Sequence, residues 1–137
     1  GDTSWRASAD FVKLLDPGAV ACLHRASDEV GAFLQTYPKD AETFGLIHYD
    51  LHVGNFLFHN GVANMIDFDE CGWGYYLFDL AHILFEFVEH PDLEALQRTA
   101  MQEYGAVVGS IQEADLTLFL ALQAGGLCQL DVPVVLA

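Results

Sequence analysis

From Gly18 to Thr36, Val20, Leu23, Ala26, Val30, Phe33 and Leu34 recur at helical spacing, with Arg25, Asp28 and Glu29 on the opposite face. The spacing predicts a helix, followed by a loop at Pro38-Lys39-Asp40. The period then changes. An apolar lead-in, Leu46-Ile47, gives way to a polar cluster and two short apolar runs, Phe56-Leu57-Phe58 and Val62 to Ile66. Between these runs lies His59-Asn60-Gly61, and Asn-Gly in that setting predicts a β-hairpin. Cys71-Gly72-Trp73-Gly74 reads as a turn. From about Tyr76 to Glu89, Leu77, Leu80, Ala81, Leu84, Phe87 and Val88 make an apolar stripe, widened by Ile83 and Phe85, so this helix is expected to be buried on most sides. Pro91 stops it, and Asp92 is placed to cap a helix over Leu93 to Val108, with Leu93, Leu96, Ala100, Met101, Tyr104 and Val107-Val108 on one side. Gly109-Ser110 breaks that helix. A last one runs from Glu113 to about Gln123, with Glu113 and Asp115 in the first turn and Gly125-Gly126 at its end.

Phe11 to Leu15 predicts a short helical segment stopped by Asp16-Pro17-Gly18, and Asp131 to Ala137 has no clear state. The fold class is therefore mainly α with one small β-hairpin (α+β), in a single domain over residues 1–137.

The hairpin matters for the polar residues beside it. His48, Asp50, His52 and Asn55 precede its first strand, and Asp67, Asp69 and Glu70 follow its second. Closing the hairpin brings Asn55 near Asp67 and gathers Asp50, Asn55 and Asp67 at one end. Phosphoryl transfer needs a carboxylate to orient a hydroxyl nucleophile and oxygen ligands to hold Mg²⁺ against nucleotide phosphates. An Asp, an Asn five positions later, a hairpin and a second Asp form the catalytic arrangement of protein kinases. Asp50 is the candidate catalytic carboxylate, and Asn55 and Asp67 are the candidate ligands for one or two Mg²⁺ ions. Two positions depart from the protein-kinase wording: no Arg precedes Asp50, and Phe68-Asp69 follows Asp67.

The stretch IHYDLHVGNFLF…MIDFDECGWGYYLFDLA resembles the aminoglycoside phosphotransferase and choline/homoserine kinase-like family. The elements matched in order are His48-x-Asp50, Asn55, Asp67 after the hairpin, and Asp79-Leu80-Ala81 near a helix start. The resemblance implies the C-terminal lobe of a protein-kinase-like fold, with ATP or GTP as phosphoryl donor and a small-molecule hydroxyl as acceptor. It also implies that His48 and Asp79 support the catalytic-loop backbone. Asp69 and Glu70 are candidates for binding a substrate amine. Tyr49 departs from the family, which usually has Gly or another small residue there.

Composition narrows the partners. A net charge of −15 with only 5 Lys and Arg argues against nucleic acid and favours cationic substrates, although solubility alone would select the same balance. The three cysteines form no CxxC pair or zinc spacing, which points to a reduced, cytoplasmic protein. The uncharged run Leu116 to Leu130 is too short for a membrane span, and no signal peptide is visible. No Gly-rich phosphate loop precedes residue 45, and the only lysines are Lys13 and Lys39, with Lys13 read as structural. The nucleotide-binding lobe is thus expected to be absent from the chain, leaving it inactive alone, with an uncovered apolar patch that favours self-association.

Two alternatives follow from the same residues. His48-x-Asp50-x-His52 on one strand is a candidate Zn²⁺ or Fe cluster of a metal-dependent hydrolase. A kinase-like lobe can also serve as a non-catalytic binding module.

Overall fold

The computed structural model describes residues 16–109 and 111–124. The expectations for 11–15 and Lys13, for Ser110, for Gly125-Gly126 and for the tail 131–137 lie outside these residues.

Helix α1, Pro17–Thr36, starts where local chemistry dictates. The Asp16 carboxylate accepts from the Gly18 and Ala19 amides, and Pro17 occupies a first-turn position that needs no donor. The helix buries Val30 and Leu34, one turn apart, and packs Phe33 against the core. Strand β1, Phe44–Ile47, comes next. A 3-10 turn, Val53–Asn55, leads into β2, Phe56–His59, and then β3, Val62–Met65. β2 and β3 pair antiparallel in the register Phe56↔Met65 to His59↔Val62. Asn60 and Gly61 both have positive φ (50° and 77°), as a two-residue hairpin turn demands.

A second antiparallel pair departs from the sequence pattern. Gly72–Tyr75, read as a glycine turn, is strand β4 and pairs with β1 from Phe44↔Tyr75 to Ile47↔Gly72. Glycine suits this pairing for a steric reason at Gly45, where an added Cβ would run into the Tyr76 ring. The β1–β4 pair closes the base of the excursion that carries the polar cluster and the hairpin.

Helix α2, Tyr76–Phe85, follows directly and buries Leu77, Phe78, Asp79, Leu80, Ala81 and Leu84. It ends before the expected Glu89. The Glu86, Phe87 and Val88 amides bond three residues back, to Ile83, Leu84 and Phe85, so the chain tightens into turns. Val88, expected on the apolar stripe, is exposed.

Helix α3, Leu93–Val108, has Asp92 at its N-cap position, but that side chain makes no capping hydrogen bond. No residue of α3 is fully buried. Leu96, Ala100, Met101 and Tyr104 rest against the core, while Val107 is exposed. Helix α4, Glu113–Ala124, buries Leu116, Phe119 and Leu122 and packs mainly on α2. Phe119 meets Phe33, Tyr37 and Tyr75 with ring centroids 5.7–6.3 Å apart, joining α1, β4 and α4. Among the described residues, no single helix is long and apolar enough to cross a membrane.

The hairpin stands apart from this core. Leu57, Phe58, Val62 and Met65 on it are exposed, as are Phe68 and Trp73 beyond it. Such a patch marks a contact surface more often than free solvent.

Candidate active site

β1 delivers the chain into the site through Ile47, which is buried. The next two amides are then fixed by a side chain from α2. Asp79 Oδ2 accepts from the His48 N–H at 2.7 Å, and Oδ1 accepts from the Tyr49 N–H at 2.9 Å. Burial pushes the Asp79 carboxyl above the usual carboxylate range. The two amide bonds and the nearby His48 and His82 rings act in the opposite direction. His48 is buried, its Nε2 lies 2.8 Å from the Ile66 carbonyl oxygen, and Phe68 sits against its ring at 4.9 Å. This contact ties the segment before Asp50 to the end of the second hairpin strand.

Asp50 and Asn55 meet directly. Asn55 is buried, and its Nδ2 donates to the Asp50 carbonyl at 2.8 Å, with Asp50 Oδ2 at 3.4 Å. Because the amide N–H₂ is engaged there, the Asn55 side-chain oxygen is the group left for a ligand. Asp50 has a side chain 44% exposed, and its Oδ2 also faces His52 Nε2 at 3.6 Å. His52 Nδ1 accepts from the Gly54 amide at 3.1 Å, and an added Cβ at Gly54 would press on that ring. With Nδ1 accepting there, Nε2 is the ring nitrogen that can donate toward Asp50.

Asp67 follows the last ladder bond, Ile66 N–H to the Asn55 carbonyl at 2.9 Å. The hairpin therefore brings the backbone of Asn55 next to the residue before Asp67. Asp67 is exposed and holds a left-handed backbone, φ 60°. Asp69 and Glu70 are exposed beside it. Among the described residues no group of three or more His, Cys, Asp or Glu side chains converges in a metal-binding arrangement. In particular His48, Asp50 and His52 do not share one strand face: His48 turns inward to Ile66 and the other two turn outward.

Tyr49 also has a left-handed backbone, φ 73°. For a residue with a Cβ this costs about 1–2 kcal/mol, which is the physical reason a Gly would suit the position. The ring recovers part of that cost by stacking on Phe78 at 5.0 Å and 15°. The usual ranking of substitutions should invert here. Tyr49→Gly is expected to be more stable than Tyr49→Ala by about 1 kcal/mol, because both lose the stacking and only Ala keeps the strain. Paired urea unfolding curves check this, and a more stable Ala variant would contradict it.

Sequence reasoning missed one residue near this loop. Glu86, at the end of α2, accepts from the Val53 amide at 2.8 Å. Only its spacing from Asp79, two turns on along the same helix face, hinted at this.

The profile of a family described as "Phosphotransferase enzyme family" matches residues 2–116. Amicoumacin kinase of Bacillus subtilis (strain 168) is 31% identical over 70 residues, which are 51% of this chain and 21% of that protein. Among solved structures, an amicoumacin kinase in complex with AMP-PNP, Ca²⁺ and Ami has a similar fold, with TM-score 0.66 at 22% identity. The match covers 87% of this chain and 39% of that one. The microcompartment-associated aminopropanol kinase gives TM-score 0.67 at 26% identity, covering 89% of this chain and 39% of its own. The chain thus spans well under half the length of each of these relatives.

Proposed function

The chain belongs to the phosphotransferase enzyme family, and on that premise we propose that it is the catalytic, C-terminal lobe of a small-molecule kinase. The reaction is transfer of the γ-phosphoryl of ATP or GTP to a substrate hydroxyl. One observation carries this most: Asp50 and Asn55 are locked together in one turn, and the hairpin ladder returns the chain to Asp67 beside them.

Asp50 is the residue that orients the acceptor hydroxyl and takes its proton. Its Oδ2 faces Asn55 and His52, and the side chain as a whole is 44% exposed, open to a substrate hydroxyl. Asn55 and Asp67 fit a divalent cation by donor type. Both offer oxygen, the Asn55 nitrogen is engaged elsewhere, and the Asp67 carboxylate is exposed. When bound, Mg²⁺ neutralises phosphate charge during transfer. The His48 and Asp79 contacts keep the loop backbone rigid, and rigidity matters because phosphoryl transfer depends on positioning.

The acceptor we favour carries an amine as well as a hydroxyl. Asp69 and Glu70 lie exposed next to Asp67, the chain has net charge −15, and one relative is named for aminopropanol, an amino alcohol. A nucleotide-holding lobe supplied from outside residues 1–137 belongs to the same proposal, since the chain spans 39% of each solved relative. The exposed hairpin face is its contact surface.

With so few protein oxygens, residues 1–137 should bind Mg²⁺ or Mn²⁺ weakly, and Asp67→Ala should weaken binding further. Calorimetric titration reads this. Tight Zn²⁺ binding that survives Asp67→Ala and disappears in His52→Ala would refute the kinase assignment and favour a hydrolase.

A further inference from the structure

The loop from His48 to Asn55 is gripped by α2 at two points. Asp79 holds its start through the His48 and Tyr49 amides. Glu86 holds its far side: Oε2 accepts from the Val53 N–H at 2.8 Å, between residues 33 apart in sequence. Glu86 is still helical, with φ −63° and ψ −21°. Seven positions after Asp79, it lies on the same face about two turns along. Val53 opens the 3-10 turn that ends on Asn55, so its amide is one of the donors the turn cannot satisfy within itself. The next amide, Gly54, is taken by His52. A carboxylate acceptor makes the Val53 bond charge-assisted, roughly twice as strong as a neutral one.

We propose that Glu86 is a positioning residue for the phosphoryl transfer proposed above, on which this role rests. It fixes the turn that carries Asn55, and through the Asn55 Nδ2 bond to the Asp50 carbonyl it sets the spacing between the hydroxyl-orienting carboxylate and the metal ligand. Asp79 and Glu86 then act as the two jaws of one helix face. Glu86 itself is exposed and outside the core, so its substitution leaves the fold intact.

The test uses the protein expressed from its full reading frame, with MgATP and an amino alcohol. Glu86→Ala is expected to lower kcat by about 10-fold while both KM values move by less than about twofold, since a small misplacement costs rate before binding. Glu86→Gln keeps an acceptor oxygen and should recover kcat to within about threefold. Amide exchange at Val53 should speed up in Glu86→Ala and return toward wild type in Glu86→Gln. A purely structural role would instead lower the unfolding temperature, leave kcat unchanged and show no rescue by Gln. Wild-type kcat and wild-type Val53 protection in Glu86→Ala, alongside an inactive Asp50→Ala, would overturn the role of Glu86 and leave the kinase assignment standing. Turnover that survives Asp50→Ala would overturn the kinase assignment and this role with it.

Discussion

Asp50→Ala is expected to reduce phosphoryl transfer by about 10³-fold, the middle of the range for loss of a general base. The fall should lie in kcat, with KM for the nucleotide little changed, because the proposed role sets Asp50 against the acceptor and not the nucleotide. Stability should hardly respond. The side chain is 44% exposed and its Oδ2 makes only long contacts, at 3.4 and 3.6 Å, so a change within about 0.5 kcal/mol is expected. Steady-state kinetics of the protein expressed from its full reading frame, with an amino alcohol acceptor, together with urea unfolding, separate the two effects. Asp50→Asn should be nearly as inactive as Ala, since an amide fits the space and cannot accept the proton. Turnover within tenfold of wild type in either variant would remove Asp50 from the chemistry.

Asp79→Ala should damage stability and activity together. Two amides, the buried one of His48 and the half-buried one of Tyr49, would lose their acceptors, and each unsatisfied buried donor costs about 1–3 kcal/mol. Relief of the buried charge offsets part of this, because burial is the dominant influence on the Asp79 carboxyl. We expect a net loss of about 3 kcal/mol and, in the protein that remains folded, about a 10²-fold lower kcat from a displaced loop. The pH dependence has a definite sign. The carboxyl is held above its ordinary value in the folded state, so its contribution is fully present below the unfolded pKa. It is lost as pH rises through the folded value. Wild type minus Asp79→Asn should therefore show a stability difference that shrinks from acid toward neutral pH. A difference that grows with pH would mean the amide bonds, not burial, govern this group.

The sequence made the hairpin legible because its determinants are local. Asn60-Gly61 specifies the turn, and flanking apolar runs specify the strands. The positions of Asp50 and Asn55 were legible for a similar reason, since their hydrogen bond spans five residues. The β1–β4 pair was not. Gly72 and Gly74 read as turn residues, and pairing them with Ile47 and Gly45 needs a partner far away in the chain. Glu86 was hidden in the same way. Its one signal, a position two turns after Asp79, is shared by many surface residues, and its partner is a backbone amide without sequence identity. Tyr49 showed as an oddity, but its cause, a backbone with positive φ, appears only in three dimensions.

The β1–β4 pair also bears on how this protein tolerates change in length. Its last rung, Ile47↔Gly72, ties off everything between as one closed loop. The entropy of closing such a loop grows only logarithmically, by about 0.6 kcal/mol per doubling of its length. Added residues at the exposed tip, Asn60-Gly61, would therefore cost little and leave Asp50, Asn55 and Asp67 in register. The same residues inserted at the base would meet the Tyr76 ring against Gly45 and shift every rung by one. Length variation among sequences of this type should accordingly collect at the tip and be scarce at the knot.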